Sequence, residues 1–333
     1  MDSNRRRLLA GLGVALGAPP GALAQSKAPR IALVDTGESV TNMAERHPYW
    51  GSLLLELSRL GHVEGQGIVV ERWSSGGVAT TAGYKALAGK VVASRPRLIV
   101  VRGRSTLVHV AAQTKEIPIV TIGSIPAELR ASHSRPGGNV TGIHNSFDAQ
   151  ELYGKQVEVL GNVLKPGARI AWFGPQALWE SIVGEAARKG AASAGMDLRT
   201  IFIASPISKP TIRQAFAEMA RAKVSGVLMA PATELFPYRE IASELAVAQK
   251  LPSIGPARAW PESGALLSYG PDFEGMYRRA AHYVDRILKG SDPAAIPIEQ
   301  PTKIELVINL ETAKAVGVAI PQSMLVRADR VIE

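Results

Sequence analysis

The chain contains no cysteine. Disulfides, thiolate metal sites and thiol catalysis are thereby excluded, and so is acylation at a lipobox cysteine. No apolar run reaches the length needed to cross a bilayer. The six histidines, His47, His62, His109, His133, His144 and His282, form no i,i+4 pair, and no H-E-x-x-H occurs. There is no G-x-S-x-G turn. No G-x-G-x-x-G follows a strand beyond the first two dozen residues. Gly83 to Lys90 has one residue too many for a phosphate loop, and Val91 stands where a magnesium-binding hydroxyl belongs. No catalytic set, metal site or cofactor site is expected.

The 333 residues suffice for two core-bearing lobes. Lys and Arg number 38 against 29 Asp and Glu, a net charge of +9. The charges alternate in sign along helical stretches such as Glu234 to Glu244, and no Lys/Arg patch is interleaved with aromatics. Nucleic acid is therefore not expected as a partner.

Residues 1–24 have the form of a cleavable leader. Arg5-Arg6-Arg7 is a positive start, Leu8 to Ala18 a short apolar stretch, and Ala22-Leu23-Ala24 a small-x-small cleavage pattern. Arg5-Arg6 also fits twin-arginine export, and general secretion stays open beside it. Three arginines and one aspartate leave with the leader, so the mature charge is about +7. The mature protein is expected to begin near Gln25, outside the cytoplasm and not membrane-spanning.

From Arg30 onward, short apolar runs alternate with helical periods. Ile31–Val34, Ile68–Val70, Leu98–Val101 and Ile117–Ile122 read as strands. Tyr49 to Leu60, Thr80 to Ser94 and Thr106 to Lys115 read as helices between them. Continuous apolar strands separated by helices indicate a parallel sheet covered on both faces. Arg135-Pro-Gly-Gly138 breaks the rhythm, and Asn139–Thr141 reads as an extended crossing. The alternation then restarts, with helix Gln150–Leu164, strand Arg169–Phe173, helix Ala177–Ala194 and strand Leu198–Ile203. Helix Thr211–Lys223, strand Val227–Met229, helix Tyr238–Lys250 and strand Pro252–Ile254 follow. Leu266–Ser268 reads as a second crossing, Asp272–Leu288 as a helix and Ile304–Ile308 as a third crossing. The fold class is α/β, with two doubly wound halves.

Several short segments share an order and spacing with one known family. They are Gly61-His-Val-Glu-Gly-Gln66, Ile117-Pro-Ile-Val120, Arg135-Pro-Gly-Gly-Asn-Val-Thr-Gly142, Leu266-Leu-Ser-Tyr-Gly-Pro-Asp272 and Ile304-Glu-Leu-Val-Ile-Asn-Leu310. From about residue 30 the chain resembles the substrate-binding proteins of ABC uptake transporters, the family that includes tryptophan-binding members. The resemblance implies a type I periplasmic binding fold whose lobes are joined by three crossings. One lobe would hold residues 30–142 and 270–295, the other 143–268 and 296–333. It also implies a monomer that binds a small molecule by closure and hands it to a membrane permease. One departure stands out: Gly123-Ser124 occupies the place of the family's Asp-Pro pair.

Parallel sheets bind ligands at the carboxyl ends of their strands. That rule nominates Thr36 after the first strand, with Tyr49 and Trp50 opening the next helix. Arg102, Ser105 and Thr106 follow the third strand. Ser105 or Thr106 would cap the helix there, leaving free N–H groups for an anion. Arg102 would add a bidentate contact, and Ser124 a second hydroxyl. In the other half the rule nominates Gly174, Thr233 and Trp260. Trp50 and Trp260 would stack on a flat ligand, and Tyr269 would line the hinge or the ligand. Two other readings compete: a hydrolase or other enzyme on the same fold, and a ligand-sensing module that regulates a partner.

Overall fold

The computed structural model describes residues 28–333, except residues 46, 77–79, 146, 148 and 302 and the side chain of residue 149. The leader and its cleavage site lie outside the described residues. Two sheets organise the chain. The first holds β1 (Arg30–Asp35), β2 (Val69–Ser74), β3 (Leu98–Arg102), β4 (Ile119–Gly123) and β5 (Val140–His144). Its order is β2-β1-β3-β4-β5, parallel throughout. The second holds β6 (Arg169–Gly174), β7 (Asp197–Phe202), β8 (Gly226–Met229), β9 (Ser253–Gly255), β10 (Leu267–Pro271), β11 (Ile304–Asn309) and β12 (Arg330–Ile332). Its order is β12-β11-β10-β9-β8-β6-β7, parallel except where β10 meets β11.

The strands read as continuous apolar runs because helices cover both faces of each sheet. Ile31, Ala32, Leu33 and Val34 are buried, as are Leu98 to Val101. Helix Pro48–Arg59 begins with proline, which needs no N–H partner at that position. It turns Tyr49, Trp50, Leu53 and Leu57 inward. Helix Phe273–Leu288 returns from the second sheet to pack on helix Pro48–Arg59 and beneath β4 and β5. The three crossings lie beyond His144, beyond Pro271 and just before Ile304.

Four local expectations are revised. Asn139–Thr141 was expected as a crossing, but Val140 and Thr141 belong to β5, which pairs in register with β4 from Ile119–Val140 to Gly123–His144. Gly142 makes that close pairing possible, because a Cβ there would lie 2.3 Å from the Thr121 carbonyl oxygen. Leu267 and Ser268 likewise lie within β10, in the second sheet, and the chain crosses after Pro271. Glu299 runs alongside β5, with its carbonyl accepting from His144 N–H at 2.8 Å. A lobe boundary at residue 296 therefore falls a few residues early. The single helix Ala177–Ala194 is two, Gln176–Trp179 and Ile182–Ser193. Ser181 caps the second by accepting from Val183 N–H, which favours a new start over a continuous helix.

Candidate functional site

The carboxyl ends of the two sheets face one another. Between them lies a cavity of about 850 Å³. The first sheet's lobe contributes Tyr84 and Ser105. The second contributes Pro175 to Leu178 after β6, Phe202 to Ser205 and Ile207 after β7, and Pro231, Thr233 and Glu234 after β8. The size and the largely apolar lining suit a small organic solute.

Tyr84 sits on helix Thr81–Ala93 and reaches across the opening. Its hydroxyl lies among Thr36, Ser105 and Glu234, and burial, then the charge of Glu234, pushes its pKa up. It therefore stays a neutral donor at physiological pH. Ser105 is the second residue of helix Arg104–Gln113, not its cap. The cap is Gly103, whose φ of 87° is a conformation glycine adopts without strain, and it offers no side chain. The helix start thus has no side-chain cap, contrary to the expectation that Ser105 or Thr106 would cap it, and Ser105 supplies its hydroxyl to the cavity wall instead.

Behind this wall, the first lobe carries a buried polar cluster. Arg102 Nη1 donates to Asp35 Oδ2 at 3.0 Å, and Trp50 Nε1 donates to the same oxygen at 3.0 Å. His47 Nδ1 accepts from the N–H groups of Tyr49 and Trp50 at 3.2 and 3.3 Å, capping helix Pro48–Arg59. Burial and the Arg102 charge pull the His47 pKa down to about 3, so the ring is neutral near pH 7. Burial alone would raise the Asp35 carboxyl, but Arg102 and His47 hold it below the ordinary carboxylate range. Asp35 in turn holds Arg102 above its usual value despite its burial.

The second lobe touches this cluster through one segment. The Phe236 ring lies 5.0 Å from the Arg102 guanidinium and 5.2 Å from both His47 and Tyr49. Arg239 stacks on the same ring at 4.5 Å and stands 4.0 Å from Glu38. A Cβ on Gly37 would meet the Thr233 carbonyl oxygen at 2.5 Å. The lobes therefore meet along a packed seam beside the cavity.

Of the residues nominated from sequence, Ser105 and Thr233 line the cavity, and Thr36 lies beside the Tyr84 hydroxyl. The others are placed elsewhere. Arg102 is engaged by Asp35, and Trp50 is a fully buried member of that cluster. Tyr49 is buried under Phe236 and Phe273. Thr106 is buried in its helix, and Ser124 is half-buried and not part of the cavity wall. Gly174 ends β6 against Ala230, where a Cβ would come within 2.2 Å of the alanine's own. Trp260 is buried against Gly255, which is why it cannot stack on a solute. Tyr269 faces a separate 180 Å³ groove with Lys155 and Arg327. The proposed trio of Arg102, Ser105 and Ser124 is thus not assembled around the cavity. Tyr84, Glu234 and the segment Phe202–Ile207 were missed, whereas Gln176 belongs to the nominated loop Gly174-Pro175-Gln176. The loop after β7 lay at a strand's carboxyl end and was reachable by the same rule; Tyr84, inside a helix, gave no such signal.

Among the described residues no group of three metal-ligating side chains could hold an ion, and no helix is long and apolar enough to cross a membrane. Two α/β lobes with a cavity between their strand ends define a two-lobed ligand-binding protein. Residues 73–332 match the family model described as ABC transporter substrate binding protein, and the chain belongs to that family. It is a family of substrate-binding proteins rather than of enzymes. A tyrosine-binding protein of Clostridioides difficile (strain R20291) is 23% identical over 244 residues, 69% of this chain and 66% of that protein, just under two thirds of its length. A conserved domain protein from Vibrio cholerae O1 biovar El Tor superposes with a TM-score of 0.74 at 23% identity, covering 92% of this chain and 100% of that one. An ABC domain in complex with L-Trp from Streptococcus pneumonia gives 0.73 at 22% identity, covering 91% and 99%. These two share the fold.

Proposed function

We propose that this chain is the extracytoplasmic solute-binding component of an ABC uptake transporter. It binds a small amphipathic solute of about amino-acid size between its lobes, performs no chemistry, and acts as a monomer that delivers the solute to a membrane permease. The observation that carries this reading is the 850 Å³ cavity with walls from both lobes. A solute touching both walls binds the closed arrangement better than the open one and so shifts the population toward closure. The relatives named for tyrosine and solved with L-Trp support a solute of that size. The lobes that move would be the one built on the first sheet with helix Phe273–Leu288 and the one built on the second sheet, and the leader would be removed after Ala24 by either export route.

A thermal-shift screen of amino acids, amines and small organic acids against the mature protein tests the reading. A solute that raises the melting temperature and shrinks the radius of gyration in small-angle scattering is the expected result. A bound solute that leaves the radius unchanged counts against closure, and conversion of any solute to product would favour an enzyme. Intact-mass analysis of periplasmic material checks the leader, since retention of residues 1–24 there would overturn the proposed cleavage.

A further inference from the structure

We infer that the solute carries a net positive charge, as an amine on an apolar body, and that Glu234 pairs with its ammonium group. The inference rests on the reading of the interlobe cavity as the solute site. Six wall positions are apolar and bulky: Pro175, Leu178, Phe202, Ile203, Ile207 and Pro231. Tyr84, Ser105, Gln176, Ser205 and Thr233 are polar and neutral. Glu234 is the one formally charged side chain in that wall among the described residues.

Among the described residues no cation is available to balance it. Arg102, behind the wall, is bonded to Asp35, and Arg239 lies on Phe236 beside Glu38 and Glu240. Among the described residues no Lys, Arg or His stands within ion-pair distance of Glu234. Glu234 is half-buried already, and closure over a solute removes more of its water. A carboxylate deprived of water without a partner is strongly disfavoured. An anionic solute adds like-charge repulsion in the same enclosed volume, whereas an ammonium group removes both penalties. The Tyr84 hydroxyl, kept protonated beside Glu234, orients the carboxylate toward the cavity. A zwitterionic solute would bring a carboxylate that meets only neutral donors, the hydroxyls and the N–H groups at the start of helix Arg104–Gln113. The ranking that follows is amine first, amino acid second, acid last.

Calorimetry on matched trios tests it. One trio is 2-phenylethylamine, L-phenylalanine and 3-phenylpropanoate, and further trios vary the apolar body. The amine is expected to bind at least about tenfold tighter than its amino acid, with no binding of the acid at the same concentration. Glu234→Gln should weaken the amine about tenfold or more, since a charge-assisted hydrogen bond becomes a neutral one. The inference is overturned if no amine in the set binds, if an amino acid or acid outranks its amine, or if Glu234→Gln leaves amine affinity unchanged. Ala204→Trp, placed at an exposed wall position, separates this outcome from failure of the cleft reading. A solute of any charge lost in that variant keeps the cleft reading, even if the charge inference falls. A solute that binds Ala204→Trp undiminished overturns both. A thermal melt and the far-ultraviolet spectrum of each variant establish that it is folded.

Discussion

Among the described residues, the cleft wall built on the first sheet satisfies its charges within itself, while the wall built on the second leaves its one charge, Glu234, toward the cavity. Asp35, Arg102, His47 and Trp50 bond to one another behind the first wall, and what reaches the opening is hydroxyl: Tyr84 and Ser105. The second wall is mostly apolar, with Glu234 unpaired among the described residues. A preset polar network is rigid and costly to disturb, so it suits a fixed platform. An apolar wall with one charge selects by shape and by sign, so it suits discrimination. Phe236, from the second lobe, contacts the platform at the seam and is not part of the cavity wall, while Thr233 stands at both. Cohesion of the lobes and the cavity wall are therefore carried by neighbouring residues that overlap at Thr233.

The largest effect is expected where the platform's charges cancel. Asp35→Ala leaves a buried guanidinium without its partner and should destabilise the protein by about 3–5 kcal/mol. Replacing Asp35 and Arg102 together by leucine should recover much of that loss, because the uncompensated charge is gone. Urea denaturation of the two variants reads the difference. A loss under about 1 kcal/mol in Asp35→Ala would show that the platform is not held by this pair.

The same cluster predicts an acid limb. His47 has its pKa lowered to about 3 in the folded protein, against an ordinary 6.5. Between those values the unfolded chain binds a proton that the folded chain refuses. Stability is therefore fully present above about pH 6.5 and falls as pH drops toward 3, by at most about 1.4 kcal/mol per pH unit for one such group. His144, lowered to about 4 by burial and the Arg130 charge, adds in the same direction. Asp35, held below its ordinary value, extends the loss at the acid end. His47→Asn keeps a helix-capping acceptor and removes the titration, so its stability should fall less between pH 6.5 and 4. Equal slopes for the two proteins in that window would remove His47 from the account.

Sequence periodicity was enough for the platform and not for the opposite wall. Runs such as Ile31–Val34 and Leu98–Val101 announce buried parallel strands, because helices on both faces leave no polar side to alternate. Arg135-Pro-Gly-Gly138 marks a break in rhythm, but β5 begins immediately after it, since its pairing with β4 depends on the missing Cβ of Gly142. The strand-end rule located the loops of Ser105, Gly174-Pro175-Gln176 and Thr233. It could not tell which side chain in each loop turns to the cavity. Arg102 was nominated for a ligand because nothing in a linear chain places Asp35 3.0 Å away. Glu234 stood one position beyond a nominated loop, and its isolation from cations exists only in three dimensions. The aromatic residues mislead for a plain reason: Trp50 and Trp260 are large, and large apolar surfaces are buried first.

The seam is sharpened by a smaller change. Gly37→Ala should be tolerated within its lobe, because the three atoms nearest to the new methyl group all belong to Thr233 of the facing lobe, its carbonyl oxygen at 2.5 Å. The lobes must then stand slightly apart. Solute affinity is expected to fall about tenfold, near 1.4 kcal/mol, while the melting temperature without solute changes little. Calorimetry and differential scanning on one preparation give both numbers. A fall in stability with unchanged affinity would mean that the seam belongs to the fold and not to closure.

The smallest expected effect separates the hydroxyl edge of the platform from its core. Tyr84→Phe keeps the ring and removes a hydroxyl that faces Glu234, Ser105 and Thr36. Without that donor the Glu234 carboxylate keeps its charge but loses one restraint on its direction. A single hydrogen bond of this kind contributes about 0.5–1.5 kcal/mol net, which corresponds to a loss in solute affinity of roughly two- to tenfold. Global stability should stay within about 0.5 kcal/mol, since the hydroxyl is partly open to the cavity water that replaces it. Titration of Tyr84→Phe and Glu234→Gln, singly and together, completes a double-mutant cycle. If the hydroxyl acts through the carboxylate, the double variant loses no more affinity than Glu234→Gln alone. Additive losses would mean that Tyr84 touches the solute itself, and the polar edge of the first wall would then share in recognition with the second.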